Sequence, residues 1–150
     1  MKKMFFCLLI GGLFFTTGNL QAQFRSIPGS VTDSFKIRYP EAKTVTWRDQ
    51  ISYFEAKFTL DGEKITAKYG SKGEWQSSQK TITQEKLPAS VKDGLSKSKY
   101  SPDWTIYSVT VRYLPGNITQ YILRIGKGDI SRKNLLFSSE GQLLKDGTTL

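Results

Sequence analysis

Apolar residues along the chain change their spacing in a regular way. Ile27, Val31, Phe35 and Tyr39 recur every fourth residue, as do Leu87, Val91 and Leu95. That step puts side chains on one face of a helix, so each run predicts a short helix with a single apolar stripe. Pro28 and Pro88 fit the first helical turn, where a missing N–H is no loss. Pro40 and Pro102 predict helix ends near Tyr39 and Tyr100. Elsewhere the spacing falls to two, the period of a half-buried strand. Val45 and Trp47 alternate with Thr44, Thr46 and Arg48. Phe54, Ala56, Phe58 and Leu60 alternate with Tyr53, Glu55, Lys57 and Thr59. Ile65, Ala67 and Tyr69 alternate with Lys64, Thr66 and Lys68, and Trp75 leads a more polar fourth strand. The second half offers Tyr107, Val109, Val111 and Tyr113, then Tyr121, Leu123 and Ile125, then Leu135 and Phe137, then Leu143. Glycine-bearing turns separate these runs at Asp61-Gly62, Lys72-Gly73, Pro115-Gly116-Asn117, Lys127-Gly128-Asp129 and Glu140-Gly141. Such short links predict antiparallel hairpins.

The two halves also match each other. Ile27-Pro28-x-Ser30-Val31 aligns with Leu87-Pro88-x-Ser90-Val91 at an offset of 60. Phe54, Ala56 and Phe58 align with Tyr121, Leu123 and Ile125 at 67; Ala67, Tyr69, Gly73 and Trp75 align with Leu135, Phe137, Gly141 and Leu143 at 68. The offset grows only in turns, as two copies of one unit would show after loop drift. The expected fold is therefore α+β. Two tandem helix-plus-four-strand repeats, about 27–82 and about 87–146, form one antiparallel sheet with both helices packed on one face. The other face is left to water.

One arrangement runs Phe35…Tyr39-Pro40-x-Ala42-x-x-Val45-x-Trp47, then Tyr53-x-x-Ala56-x-Phe58…Gly62, then Tyr69…Gly73-x-Trp75, then Leu87-Pro88. It resembles the PepSY-like family of exported bacterial proteins over nearly all of residues 23–150. The resemblance implies a fold like that of the beta-lactamase inhibitor protein, a periplasmic or surface location and no established activity. The wider PepSY group is associated with restraint of peptidases, and the beta-lactamase inhibitor protein clamps an enzyme with its open sheet face. The shared residues are mostly core and turn positions, so neither role passes to particular side chains. Arg112-Tyr113-Leu114-Pro115-Gly116-Asn117 departs from the pattern as a long hairpin, with a tip open to contact.

Composition narrows the chemistry. Lys2 and Lys3 precede an apolar stretch, Met4 to Phe15, and Ala22 closes a small-residue site, so residues 1–22 are expected to be a signal peptide. The stretch is too short to cross a bilayer. The expected domain is 23–150, periplasmic or secreted, with no stable membrane insertion after leader cleavage. The chain has no His, and its one Cys, Cys7, and both Met lie in that leader. Ser-His and Cys-His catalysis, imidazole or thiolate metal sites, haem, iron–sulfur clusters and disulfides are excluded for the domain. Thirteen acidic residues form no spaced constellation, and calcium and phosphate loops are absent. No enzyme, cofactor or metal is expected.

Net charge is +9, from 22 basic and 13 acidic residues. Outside the cytoplasm such a surplus faces acidic proteins, polysaccharides or lipid head groups rather than nucleic acid. The expected open face carries Tyr53, Glu55, Lys57, Lys64, Thr66 and Lys68, then Ser108, Thr110, Arg112, Ile122, Arg124 and Leu136. From these the candidate binding residues are Tyr53, Lys57, Lys68, Arg112, Ile122 and Arg124. Aromatic residues and Arg anchor interfaces, and flanking cations steer an acidic partner. The expected function is a non-catalytic module engaging or inhibiting an envelope or surface protein. The alternative is a sensor or binder of an anionic glycan, lipid head group or small ligand. Trp47 and Trp75 are assigned to the core.

Overall fold

The computed structural model describes residues 26–148, so the expected leader, 1–22, lies outside the described residues. Helix α1 spans Gly29–Arg38 and is followed by strands β1 (Lys43–Asp49), β2 (Phe54–Leu60), β3 (Glu63–Tyr69) and β4 (Trp75–Ile82). A 3-10 turn at Gln84–Lys86 leads into helix α2 (Ala89–Ser96). Strands β5 (Thr105–Leu114), β6 (Ile118–Lys127), β7 (Ser131–Ser138) and β8 (Leu143–Gly147) complete the chain. All eight strands form one sheet in chain order, and every neighbouring pair is antiparallel.

Local chemistry accounts for the boundaries. Pro28 and Pro88 sit just ahead of the helices in extended conformation rather than inside the first turn. Their carbonyls still open the helices, accepting from the N–H of Val31 and Thr32 and from that of Lys92. Helix α2 stops at Ser96, ahead of the end expected near Tyr100, and Tyr100 is instead drawn into the core. In the β2–β3 turn Asp61 and Gly62 both take positive φ, 50° and 77°, which suits a two-residue hairpin.

Two apolar clusters stabilise the sheet. In the first, Val31 and Phe35 of α1 meet Phe54, Ala56, Phe58, Ala67 and Tyr69, with Trp47 and Trp75 half-buried at the margin. In the second, Val91 of α2 joins Leu87, Tyr100, Val109, Leu123, Ile125, Leu135 and Phe137. The pairings Ala56–Ala67–Ser78–Tyr113 and Val109–Leu123–Leu135 put the buried strand residues of both clusters on one side of the sheet. Each helix also touches a loop at a glycine. A Cβ on Gly73 would lie 2.4 Å from the Ser30 carbonyl oxygen, and one on Gly141 would lie 2.1 Å from that of Ser90. Ser30 Oγ donates to Ser71 O at 3.4 Å, and Ser90 Oγ to Ser139 O at 2.6 Å.

Two strand residues depart from strict alternation, and a third is more exposed than its side of the sheet predicts. Tyr107, expected inward, is 55% exposed. A bulge between Ile106 and Ser108 leaves it unpaired, and a bulge re-aims its side chain. Val45 is exposed beside a second irregularity, where Thr44 takes φ 53° in the edge strand β1. Tyr113 keeps its expected side yet is 39% exposed, because it lies at the β4–β5 junction, outside both clusters.

Tyr100 donates its hydroxyl hydrogen to Asp146 on β8, and Lys99 Nζ lies 3.1 Å from the same carboxylate. The Tyr100 hydrogen bond, then Lys99, hold the Asp146 carboxyl below its ordinary value of 3.8. A depressed carboxyl stabilises the fold above its unfolded value and loses that contribution as pH falls through the folded value. Asp146→Asn is therefore expected to lower the melting temperature at neutral pH. The difference from the parent protein should close on acidification below the ordinary Asp range. Thermal melts by circular dichroism across that range check this, and a gap that persists at the acid end contradicts it.

Candidate functional site

Side chains on paired strands share a face when their residues are partners. On the side away from the two clusters, Arg48 pairs with Glu55 and Glu55 with Lys68. The next row runs Lys57, Thr66, Gln79, Arg112 and Gln120. The row after that carries Thr59 and Lys64 in the first half and Thr110, Ile122, Leu136 and Lys145 in the second. Ser108 pairs with Arg124, and Gly126 with Arg132. The five candidates Lys57, Lys68, Arg112, Ile122 and Arg124 thus lie on one face. Tyr53, the sixth, stands just before β2, and Lys68 Nζ lies 4.4 Å from its ring centroid. The face brings all six together but not into a single pocket. Tyr53, Lys57 and Lys68 occupy the first half, and Arg112, Ile122 and Arg124 the second.

The charge on this face is one-sided. Arg48, Lys57, Lys64, Lys68, Arg112, Arg124, Arg132 and Lys145 all lie on these rows, and Glu55 is the one carboxylate among them. Glu74 stands at the rim, beside Gly70. Among the described residues Glu55 forms one ion pair, with Lys57 at 3.6 Å. Arg112 is half-buried, has no ion pair among the described residues, and burial pulls its pKa below the ordinary value. A guanidinium stays charged even so. Clustered cations on one surface raise its potential and attract acidic molecules from a distance.

The face expected from sequence lacked Arg48, Thr59, Gln79, Gln120 and Lys145, and it also lacked two residues that act together, Tyr107 and Arg132. Arg132 lies with its guanidinium 4.6 Å from the Tyr107 ring centroid. Both cover Gly126, where a Cβ would meet the Tyr107 ring at 2.5 Å and Arg132 at 2.7 Å. The bulge that turned Tyr107 outward leaves no mark in the alternation. Gly126 inside a strand was the one signal, since such a glycine marks close approach of another group.

On the opposite side, a groove of about 720 Å³ lies between the end of α1 and the β5–β6 hairpin. Arg38, Tyr39, Trp75, Ser78 and Tyr113 line it, together with residues 114–119 of the hairpin. Trp75, assigned to the core, therefore also faces a cavity. The Arg38 guanidinium lies 3.5 Å from the centroid of the Trp75 ring. Trp75 Nε1 donates to Ser78 Oγ at 2.7 Å, and the Tyr39 and Ser78 hydroxyls share a hydrogen bond. The long hairpin noticed in the sequence is one wall. The groove itself was not foreseen, because it forms between halves distant in the chain.

Behind these residues the Tyr69 hydroxyl is fully buried with no partner among the described residues, and burial pushes its pKa up. A buried hydroxyl without a partner costs about 1–3 kcal/mol. Tyr69→Phe is expected to raise stability by about 1 kcal/mol, read as a higher denaturation midpoint in urea. A lower midpoint would show that the hydroxyl is satisfied in solution.

Among the described residues no group of three or more His, Cys, Asp or Glu is placed to hold a metal ion. No described helix is long and apolar enough to cross a membrane.

No family model matches this chain, and no curated protein matches it. Solved structures do share its fold. A DUF2874 family protein from Bacteroides ovatus is 23% identical with a TM-score of 0.75, covering 81% of this chain and 87% of its own. A putative periplasmic protein from Bacteroides eggerthii is 25% identical with a TM-score of 0.73, covering 81% and 88%. A BLIP-like protein from Bacteroides fragilis is 21% identical with a TM-score of 0.74, covering 83% and 88%. The chain is an α+β protein of BLIP-like fold, with an eight-stranded antiparallel sheet and two helices.

Proposed function

We propose that this chain is an exported, non-catalytic binding module of the PepSY-like kind that engages an acidic envelope or surface protein through its open sheet face. The observation that carries the proposal is the face itself, where the eight cations named above accompany Glu55 alone. In this reading residues 1–22 are removed on export and 23–150 form the mature, periplasmic domain. The periplasmic description of the Bacteroides eggerthii neighbour supports that location.

The domain is read as a duplicated unit with both helices on one side, which leaves the other side for a partner. Matched contacts support this. Gly73 meets Ser30 as Gly141 meets Ser90, and Tyr39 bonds Ser78 as Tyr100 bonds Asp146. The helix-side members are offset by 60 and 61 residues and the strand-side members by 68, close to the offsets at which the two halves align. Binding would bury Tyr53, Ile122 and Leu136, while Lys57, Lys68, Arg112 and Arg124 speed encounter by long-range attraction. Such steering is screened by salt.

The test is capture from envelope extract by the immobilised domain, compared with Lys57→Glu/Arg112→Glu/Arg124→Glu. The parent domain is expected to retain an acidic protein at low salt and lose most of it at high salt. The variant should associate at least about tenfold more slowly, since charge complementarity acts mainly on association rate. Equal retention by both proteins rejects the open face as the site. The groove on the other side favours a second reading, a sensor or binder of an anionic small ligand or glycan.

A further inference from the structure

We infer that the groove between α1 and the β5–β6 hairpin binds a saccharide ring bearing a carboxylate, a uronic acid. The inference rests on the second reading above and is independent of the open face. Its strongest support is a count of hydrogens at the groove floor. Trp75 Nε1–H, the Ser78 hydroxyl and the Tyr39 hydroxyl supply three hydrogens but make two hydrogen bonds among themselves. Whichever hydroxyl donates, the other keeps a hydrogen with no acceptor among the described residues. Arg38 adds five N–H donors and forms no ion pair or hydrogen bond with a described residue, only its stack on Trp75. Among the described residues no carboxylate lines the groove. A site with surplus donors, a fixed cation and no acid is complementary to a carboxylate, which accepts at both oxygens and can take a guanidinium in a fork.

The rest of the groove selects the body of the ligand. Tyr113 is partly exposed at the floor, with Pro115 and Ile118 beside it, and these offer flat apolar surface to a ring. Asn117 and Thr119 supply an amide and a hydroxyl along the hairpin wall for ring hydroxyls. An extended peptide would find less. Both floor strands are interior to the sheet, β4 between β3 and β5, and β5 between β4 and β6, so neither offers a free main-chain edge. The volume falls within the usual range of ligand clefts, roughly 300–1,000 Å³.

The test is calorimetric titration of the whole domain with tetragalacturonate, with neutral maltotetraose, and with a short peptide ending in a free carboxylate. Tetragalacturonate is expected to bind and to perturb tryptophan fluorescence, with maltotetraose and the peptide at least about tenfold weaker. Arg38→Gln and Tyr113→Ala should each weaken it by about tenfold or more. Both positions are partly open to solvent, and unchanged thermal melts would confirm folding. The triple open-face variant should bind tetragalacturonate as the parent does. Absence of binding, equal binding of the neutral sugar, or preference for the peptide overturns the assignment. So does binding lost in the open-face variant but kept in Arg38→Gln and Tyr113→Ala, a pattern that would place acidic ligands on the other face. Failure here leaves the envelope-extract experiment untouched, because that readout depends on residues of the opposite surface.

Discussion

Phe35→Ala is expected to destabilise the domain by about 4 kcal/mol, the middle of the range for deleting a buried aromatic ring. Phe35 is the hub of the first cluster. Its ring centroid lies 5.0 Å from that of Phe58, 5.3 Å from Trp47, 5.6 Å from Tyr39 and 6.2 Å from Tyr69. Three of the four contacts are edge-on, the geometry in which ring quadrupoles attract. Surrounding aromatic rings cannot collapse into the gap without leaving their own rotamers, so most of the cavity would remain. Only Val31 and Phe35 of α1 are fully in the core, so the helix would also lose half of its hold on the sheet. Urea denaturation followed by far-ultraviolet dichroism measures the effect. A loss below about 1 kcal/mol would show that the cluster repacks freely and that α1 is held by something else.

Gly141→Ala is expected to cost about 3 kcal/mol, a large effect for the addition of one methyl group. Two causes add. The residue takes φ +88°, where a side chain is strained by about 1 kcal/mol. The new Cβ would also lie 2.1 Å from the Ser90 carbonyl oxygen, and backbone can yield only if α2 shifts as a body. Gly94 of α2 closes the same contact from the other side, 1.9 Å from Gly141 O measured at its own missing Cβ. Gly128→Ala provides the comparison, since Gly128 also takes positive φ, +58°, but has open space around it. It should lose only the conformational part, about 1 kcal/mol. Equal losses at the two sites would mean that the close helix–loop contact contributes nothing.

Much of this architecture is written in local chemistry. Alternation in Phe54–Leu60 and Ile118–Lys127 reports which residues face the core, because a half-buried strand has no other way to satisfy both sides. Positive-φ residues such as Asp61-Gly62 announce where the strands turn. The face holding Lys57, Lys68, Arg112, Ile122 and Arg124 followed from the same two facts. What stayed hidden depends on geometry between segments. The bulge at Tyr107 changes the count of residues opposite one partner, and composition is indifferent to that. The groove needs Arg38 from α1, Ser78 from β4 and Tyr113 from β5 to meet, and each separately resembles an ordinary helix-end, core or strand residue. The hydrogen surplus at Tyr39 and Ser78 exists only once those hydroxyls are neighbours.

The strands occur in the sheet in the order in which they occur in the chain. Every ladder therefore joins segments that are already adjacent, and the longest loop to be closed is the one carrying α2. Low mean sequence separation between partners lowers the entropic barrier to assembly and speeds it. A polypeptide wired in this way can zip from its amino end as it emerges from a narrow channel. Its leading four strands and their aromatic cluster can form a template before the trailing four arrive, with no segment left waiting for a distant mate.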